Sequence, residues 1–236
     1  MTRRRDRQPK APAATGMVRE EAMSRTIIIL SLSLAATLAG CAGHRREPLR
    51  AAPTVTLAPE PAWRRTIGMA DAQRIEALPA GWAAAWAQAG RRGTRSLKAE
   101  GDLLKPDAAL NHPALPPGSY KCRSITMNRA GVRKSPPFFC YVGSESGERV
   151  SFTKQTGTAL PGGWLYPDED QRYVFLGARQ KRAGDTSLGY GEDQARDLVG
   201  VVERVGPFRW RLVLPGSEFQ VYELTPVPVE QQGAVG

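Results

Sequence analysis

After Pro116 the sequence becomes a series of short segments rich in apolar, aromatic and β-branched residues, joined by turn-like links. Such a series is typical of antiparallel barrels and sandwiches. In one segment, apolar side chains at positions 208, 210, 212 and 214 alternate with Arg209, Arg211 and Val213, which predicts a strand with one buried and one solvent-facing side. About eight strands are predicted, at 119–127, 138–142, 149–154, 163–166, 172–178, 197–204, 208–214 and 219–225. They indicate a small antiparallel β-barrel or a strongly curled sheet over residues 117–226.

A helical pattern precedes the strands. Between residues 71 and 89, apolar side chains recur at steps of three and four residues, as on one face of a helix. Pro79 and Gly81 interrupt this pattern, so we expect a broken helix or two short ones, followed by a second helical piece at 94–104. The predicted fold class is therefore α+β, with a helical segment at 63–116 packed on the barrel.

An uncharged apolar run at 26–40 ends in Leu38-Ala39-Gly40 and is followed by Cys41. It is shorter than the ~20 residues of a membrane-spanning helix and ends in small residues, as a signal peptide does. Leu38 to Cys41 resembles the lipobox of bacterial lipoproteins, in which the cysteine thiol receives a lipid. The sequence therefore predicts lipidation of Cys41, with a plain signal peptide as the alternative.

The expected cellular location follows from this N-terminal segment. Residues 1–40 are the predicted leader and signal peptide, and we expect translation to start at Met23, in preference to Met1 or Met17, because the apolar run follows Met23 closely. Residues 41–62 are predicted to form a flexible tether, and 227–236 a disordered tail. Acyl chains would hold the protein at the membrane, facing the periplasm. Ala42 favours the outer membrane, by resemblance to other lipoproteins.

Two cysteines, Cys122 and Cys140, remain once Cys41 is accounted for. Because we expect the chain to be exported to an oxidising compartment, these two are predicted to form a disulfide. A disulfide between them would close a loop of about 18 residues and stabilise the domain by roughly 3 kcal/mol. Two free thiols are the alternative.

Several sequence blocks resemble an uncharacterised bacterial family, the domain-of-unknown-function family numbered 4893. The blocks are Gly118–Arg123, Phe139-Cys140, Phe152–Gly157, Leu165–Asp168, Val174–Gly177, Tyr190-Gly191 and Gly206–Pro215, within a likeness that runs from about Trp63 to Leu224. This resemblance implies no known activity. A weaker likeness is to lipocalin-type barrels, so the fold is expected to be lipocalin-like in outline. This likeness includes barrel inhibitors of secreted metalloproteases, and it rests on Gly118-Ser119-Tyr120, on the expected disulfide and on the run Arg209-Trp210-Arg211-Leu212.

The residue types argue against catalysis. Only two histidines occur, His44 in the predicted tether and His112 before the barrel. Triads need a positioned base and histidine metal sites need several ligands, so we expect no enzyme activity, no metal and no cofactor. The chain carries a net charge of +10. Its arginines are scattered without a recognisable motif, which argues against nucleic acid as a partner.

Two loops remain as candidate sites. The acidic run at 168–170 could hold Ca²⁺, but Pro-Asp-Glu-Asp between two strands favours a turn. The Gly-rich stretch at 154–164 is predicted to be a loop at the barrel mouth. If the barrel binds a ligand, Lys154, Trp164 and Tyr166 are the candidates, because they offer a cation and aromatic area; a structural role is the alternative.

The sequence thus predicts a lipid-anchored envelope protein of non-enzymatic function, serving interaction or envelope maintenance. Its expected partners are the membrane, through the lipid, and an unknown protein of the envelope. Two alternatives stay open: a barrel that binds a small molecule in its interior, and a barrel-type inhibitor of a secreted protease.

Overall fold

A computed structural model of the protein describes residues 59–144, 149–157, 161–180 and 189–232. Cys41, the leader and most of the expected tether lie outside the described residues. The helices are α1 (Ala62–Thr66), α2 (Met69–Glu76), α3 (Leu78–Ala99), the 3-10 turn η1 (Gly101–Leu103) and α4 (Val229–Gln232). The strands are β1 (Gly118–Asn128), β2 (Gly131–Lys134), β3 (Phe138–Ser144), β4 (Val150–Lys154), β5 (Pro161–Asp168), β6 (Arg172–Arg179), β7 (Asp197–Gly206), β8 (Arg209–Leu214) and β9 (Phe219–Pro226). Within these described ranges, no helix has the length and apolar character needed to cross a membrane.

The strands form one closed antiparallel barrel. Neighbours pair in the order β2-β1-β3-β4-β5-β6-β7-β8-β9, and β1 also pairs with β9, which closes eight strands into a ring. β2 is an extra strand. It shares an edge of the long β1 with β3, since β1 pairs with β3 through 118–122 and with β2 through 125–128. The predicted α+β fold with a small antiparallel barrel is confirmed.

All eight predicted segments are strands, with ends that differ by up to two residues. The unpredicted strand is β2. Its four residues, Gly-Val-Arg-Lys, include one large apolar side chain. A single apolar position cannot show the alternation that predicts a strand.

The helical segment breaks at a different place from the one predicted. α2 and α3 meet at Ala77, and Pro79 lies in the first turn of α3, where a proline costs the helix no hydrogen bond. The expected second helical piece at 94–104 begins where predicted, because Gly93 has a non-helical backbone (φ −129°, ψ 18°) that kinks α3 directly before Thr94. It ends earlier than expected, at Ala99, and the 3-10 turn η1 follows. A short helix, α4, also occupies part of the segment expected to be a disordered tail.

Two apolar cores lie on opposite sides of the barrel wall, because successive side chains of a strand point to opposite faces. The core inside the barrel comprises Leu115, Tyr120, Cys122, Phe138, Cys140, Val142, Phe152, Leu165, Phe175, Val202, Trp210, Leu212, Leu214, Tyr222 and Leu224. The other core joins the helices to the outside of the barrel and includes Trp63, Ile75, Leu78, Trp82, Leu97, Leu103, Ile125, Met127, Val174, Leu176, Val199, Val201, Val213, Phe219 and Val221.

The predicted disulfide is present between Cys122 of β1 and Cys140 of β3, with a Cα–Cα distance of 6.2 Å. Both half-cystines are buried in the core inside the barrel. The bond therefore holds together two adjacent strands in the part of the ring where β1 passes from β3 to β2.

One end of the barrel is closed by the segment that connects η1 to β1. Leu115 of this segment is buried in the interior core. Trp210 donates its indole N–H to the carbonyl of Pro113 (3.0 Å), and the Tyr120 hydroxyl donates to the carbonyl of Pro116 (2.6 Å). These bonds satisfy two buried polar groups that would otherwise destabilise the core.

The outward face of β8 does not meet solvent, contrary to the prediction. Arg211 is fully buried, and Phe208, which was expected to face the core, is 74% exposed in the turn before the strand. The reason is that the helical segment covers this part of the barrel, so both faces of β8 are buried.

The Arg211 guanidinium satisfies its hydrogen bonds against the segment around η1. Its Nε donates to Glu203 Oε2 (2.6 Å), Nη1 donates to the carbonyls of Leu103 (3.1 Å) and Lys105 (2.6 Å), and Nη2 donates to that of Pro106 (3.0 Å). The guanidinium carbon also lies 4.7 Å from the centre of a tryptophan ring of α3, Trp82. One side chain thus joins the barrel to the helical segment. We call this set of contacts the Arg211 clamp.

A second group of charges joins the end of α3 to the barrel. Arg123 donates to Glu100 (2.5 Å) and to Glu223, Lys134 also contacts Glu100, and Arg209 contacts Glu223. Burial alone would raise the pKa of Glu100, but the hydrogen bonds from Arg123 and Lys134 outweigh it and lower that pKa. The carboxylate of Glu100 is therefore held charged at the junction of helix and barrel.

We expect Arg211→Met to lower the free energy of unfolding by about 3–5 kcal/mol, because it leaves the buried Glu203 carboxylate without its cation and several carbonyls without donors. Chemical denaturation followed by circular dichroism measures the change. Arg74→Met is the matched control, since Arg74 pairs with Asp71 at an exposed position (2.7 Å), and the expected change there is under about 1 kcal/mol. Equal effects of the two substitutions would contradict a clamp.

Candidate binding site at the open end of the barrel

The end of the barrel opposite Leu115 is lined by polar side chains. Along β1 the inward positions change from Tyr120 and Cys122 to Ser124 and Thr126, and along β9 they change from Leu224 to Tyr222 and Gln220. The interior is therefore apolar where the barrel is closed and polar where it is open. We call this polar end the mouth.

Two cavities meet at the mouth. One, of about 370 Å³, lies between β2 and β4 and is lined by Ser124, Thr126, Arg133, Lys134, Ser135, Pro136 and Lys154. The other, of about 340 Å³, lies beside the turn between β8 and β9 and is lined by Arg179, Leu198, Leu214, Pro215, Gly216, Ser217 and Glu218. Gln220 and Tyr222 line both cavities, so the two adjoin. Their volumes lie at the small end of the range for ligand pockets, about 300–1,000 Å³.

Lys154 ends β4 and points into the mouth. Its side chain is buried, and its ammonium nitrogen lies 4.1 Å from the centre of the Phe138 ring and 6.0 Å from that of Tyr222. Both distances suit a cation above an aromatic face. Burial lowers the pKa of Lys154, because leaving water penalises the charged amine.

Tyr222 lies between the two cavities. Burial raises the pKa of its phenol, and the positive charge of Arg179 partly offsets that effect. At neutral pH the hydroxyl is therefore protonated, and it donates a long hydrogen bond to Oε1 of Gln220 (3.5 Å). The amide N–H groups of Gln220 and the hydroxyls of Ser124 and Thr126 are further donors at the mouth. They lie beside four basic side chains (Arg133, Lys134, Lys154 and Arg179) and one carboxylate, that of Glu218.

The predicted ligand residues do not form one site. Lys154 lies inside the barrel, whereas Trp164 and Tyr166 project from its outer face: Tyr166 is buried in the outer core, and Trp164 lies beneath the guanidinium of Arg149, 4.3 Å from its carbon. The pairing of Phe152 with Gly163 gives the reason. Positions 152 and 163 face inward together, so 154 shares that face and 164 and 166 point the opposite way.

The acidic run at 168–170 forms the turn between β5 and β6, and Glu169 adopts a positive φ of 55°. Asp168 is buried there, where it accepts hydrogen bonds from the indole of Trp63 (2.9 Å) and from Arg172 (2.7 Å). Its role in the structure is to hold α1 against the barrel. In the ranges that the structure describes, no group of three or more acidic, histidine or cysteine side chains is arranged to bind a metal.

The remaining histidine of the described residues, His112, lies at the closed end of the barrel, where its backbone N–H donates to the carbonyl of Asp170 (2.9 Å). It is therefore remote from the mouth.

Sequence reasoning missed Arg179, Gln220 and Tyr222. The signal that points to them is a polar residue at an inward position of a strand whose other inward residues are apolar, as Gln220 is in β9.

Comparison with known families shows which family the chain belongs to. The sequence profile of the family described as domain of unknown function (DUF4893) matches residues 63–224. The chain belongs to the DUF4893 family. No match was found among curated proteins or among solved structures. The DUF4893 domain therefore includes α1 from its second residue, α2, α3 and all of the barrel except the end of β9, so the helices that cover the barrel are part of the family's domain.

We expect the stability of the DUF4893 domain to depend on pH through Lys154. In the folded chain burial lowers the pKa of its amine below the ordinary value of 10.5, so between these two values the unfolded chain binds more protons. The free energy of unfolding therefore rises with pH across this window. The Lys154→Met variant lacks this pH-dependent gain in stability. The free energy of unfolding of the variant, measured relative to that of the wild type, should therefore fall as the pH rises towards 10.5.

Urea denaturation of both proteins at several pH values between about 7 and 10.5 measures this difference. Lys121→Met, at an exposed position of β1, gives the baseline for removing a lysine. A difference between Lys154→Met and the wild type that stays constant with pH would contradict the expectation.

Proposed function

We propose that this protein is a non-enzymatic, lipid-anchored component of the cell envelope whose barrel binds an acidic group of a partner at its mouth. The observation that carries the proposal is the change in the barrel interior from a packed apolar core to two adjoining polar cavities at one end. A site with this form recognises a group that enters from outside and stops at the core.

The chemistry of the mouth supports an acidic partner group. Four basic side chains line the two cavities against one carboxylate, that of Glu218, and the Gln220 amide lies between the cavities with N–H groups that can donate hydrogen bonds. Hydrogen bonds between charged groups are roughly twice as strong as neutral ones. A carboxylate at this position would gain both charge compensation and donors.

The anchor is supported by the sequence around Cys41. An apolar run of signal-peptide length ends in Leu38-Ala39-Gly40, directly before the cysteine. Lipidation would place the DUF4893 domain beside the membrane, facing the periplasm, with Ala42 favouring the outer membrane. An interaction role fits this address, because a partner of the envelope would be within reach of the mouth.

A small molecule with an acidic group is the second candidate for the occupant. The cavity volumes of about 340 and 370 Å³ suit it. The deeper interior does not, since Phe152, Phe175 and Leu165 fill it and the rings of the two phenylalanines pack edge to face at 5.9 Å. Any small ligand would therefore occupy the mouth.

A photoreactive amino acid at Ser217, in the turn that lines the mouth, tests the interaction in living cells. We expect it to give a defined crosslinked product that is lost when Lys154→Gln and Arg179→Gln are combined with it. The matched control carries the photoreactive residue at Asp170, an exposed position at the closed end. The same products from both positions, or products unchanged by the two substitutions, would contradict a binding site at the mouth.

Labelling with radioactive palmitate tests the anchor separately. The wild type should incorporate label and fractionate with membranes, and Cys41→Ser should incorporate none.

Turnover of an envelope substrate by the pure protein would contradict a non-enzymatic role.

A further inference from the structure

The second half of α3 is strongly basic. The helix has no aspartate or glutamate along its 22 residues, and its basic residues, Arg91, Arg92, Arg95 and Lys98, all lie in its second half. The turn between β1 and β2 adds Arg129. Basic residues in the last turn of a helix complement its dipole, which accounts for Lys98. The helix dipole does not account for Arg91 and Arg92, which lie two turns earlier, or for Arg129, which belongs to another element.

Two glycines bring that turn directly against the helix. A Cβ atom at Gly93 would lie 3.2 Å from a methyl carbon of Val132, and one at Gly131 would lie 3.9 Å from Cβ of Arg92. Gly131 also has a φ of +113°, which other residues rarely adopt. The close approach of the two backbones therefore fixes Arg129 beside Arg92.

The three arginines line one surface cleft. Gln88, Arg91, Arg92 and Arg129 surround a cavity of about 360 Å³, and all four are exposed. Among the described residues, none of these three arginines forms an ion pair, whereas Arg123, Arg209 and Arg211 each pair with a carboxylate. We call this group the arginine cleft. Three guanidinium groups that converge without a carboxylate create a positive potential, which a bound anion would relieve.

We propose that the arginine cleft binds the phosphate of an anionic phospholipid headgroup. A guanidinium group can donate two parallel hydrogen bonds to a phosphate, and two or three such groups around one cavity suit a single phosphate well. The choice of a lipid rests on the proposed anchoring at Cys41, which would keep the domain beside a membrane surface. There, each basic side chain contributes about 1 kcal/mol of attraction to anionic lipid. Binding at this cleft would orient the domain on the membrane.

The test uses the full chain in uncharged detergent micelles, so that the lipid anchor is satisfied equally in every sample. Arginine side-chain N–H resonances are followed by NMR while phosphatidylglycerol, phosphatidylcholine or inorganic phosphate is added. We expect saturable shifts with phosphatidylglycerol, and at least fivefold weaker effects from the zwitterionic lipid and from inorganic phosphate.

Matched variants localise the site. Arg91→Gln combined with Arg92→Gln, and separately Arg129→Gln, should weaken the affinity for phosphatidylglycerol at least fivefold. Arg95→Gln combined with Lys98→Gln removes two charges of the same helix outside the cleft and should change the affinity less than twofold.

Three results would overturn the proposal: no saturable binding, an equal loss in both double variants, or equal affinity for inorganic phosphate, which would make the cleft a free-phosphate site. The NMR titration does not depend on whether Cys41 carries a lipid. If Cys41 incorporates no palmitate while the micelle titration behaves as expected, the anchoring proposal fails and the cleft's preference for anionic lipid stands.

Discussion

The buried guanidinium of Arg211 is the interaction on which the rest of this structure depends. A buried charge is costly unless it is paired and fully hydrogen-bonded, so its surroundings must be built around it. Here the barrel supplies Glu203, α3 supplies the ring of Trp82, and the residues around η1 supply backbone carbonyls. Those carbonyls lie where a helical segment ends and where carbonyls lack intrahelical donors. Removing either layer would leave charged or polar groups of the other unsatisfied, which explains why the helices and barrel form one unit.

The covering layer also decides which part of the barrel is open to a ligand. Helices pack on the outer face of several strands, the segment before β1 closes one end of the barrel, and apolar side chains fill the middle. In the barrel as far as the structure describes it, the mouth remains open, and there the inward positions are polar and Lys154 is buried. A buried amine with a lowered pKa costs stability, and such groups are concentrated at functional sites. The mouth and the arginine cleft are thus two separate basic features, one in the barrel interior and one on the surface of α3.

Much of the fold could be predicted from the sequence, because strand alternation and the paired cysteines are local or compositional signals. Two aspects could not. The environment of Arg211 was expected to be solvent, since alternation tells which residues share a face but not whether another layer covers it. Lys154, Trp164 and Tyr166 were grouped because they are near in sequence. Which of them share a face depends on the pairing of Phe152 with Gly163, which is a property of the register between two strands.

Native-state hydrogen exchange tests most directly whether the helical segment and the barrel are one cooperative unit. At increasing, sub-denaturing urea concentrations, the slowest-exchanging amides of α3 and those of β8 should converge on the same free energy of opening, within about 1 kcal/mol. This convergence is the result that the account predicts. If the amides of α3 instead open at a free energy several kcal/mol below that of β8, with no dependence on global unfolding, the helices are a loosely attached layer and the account is contradicted.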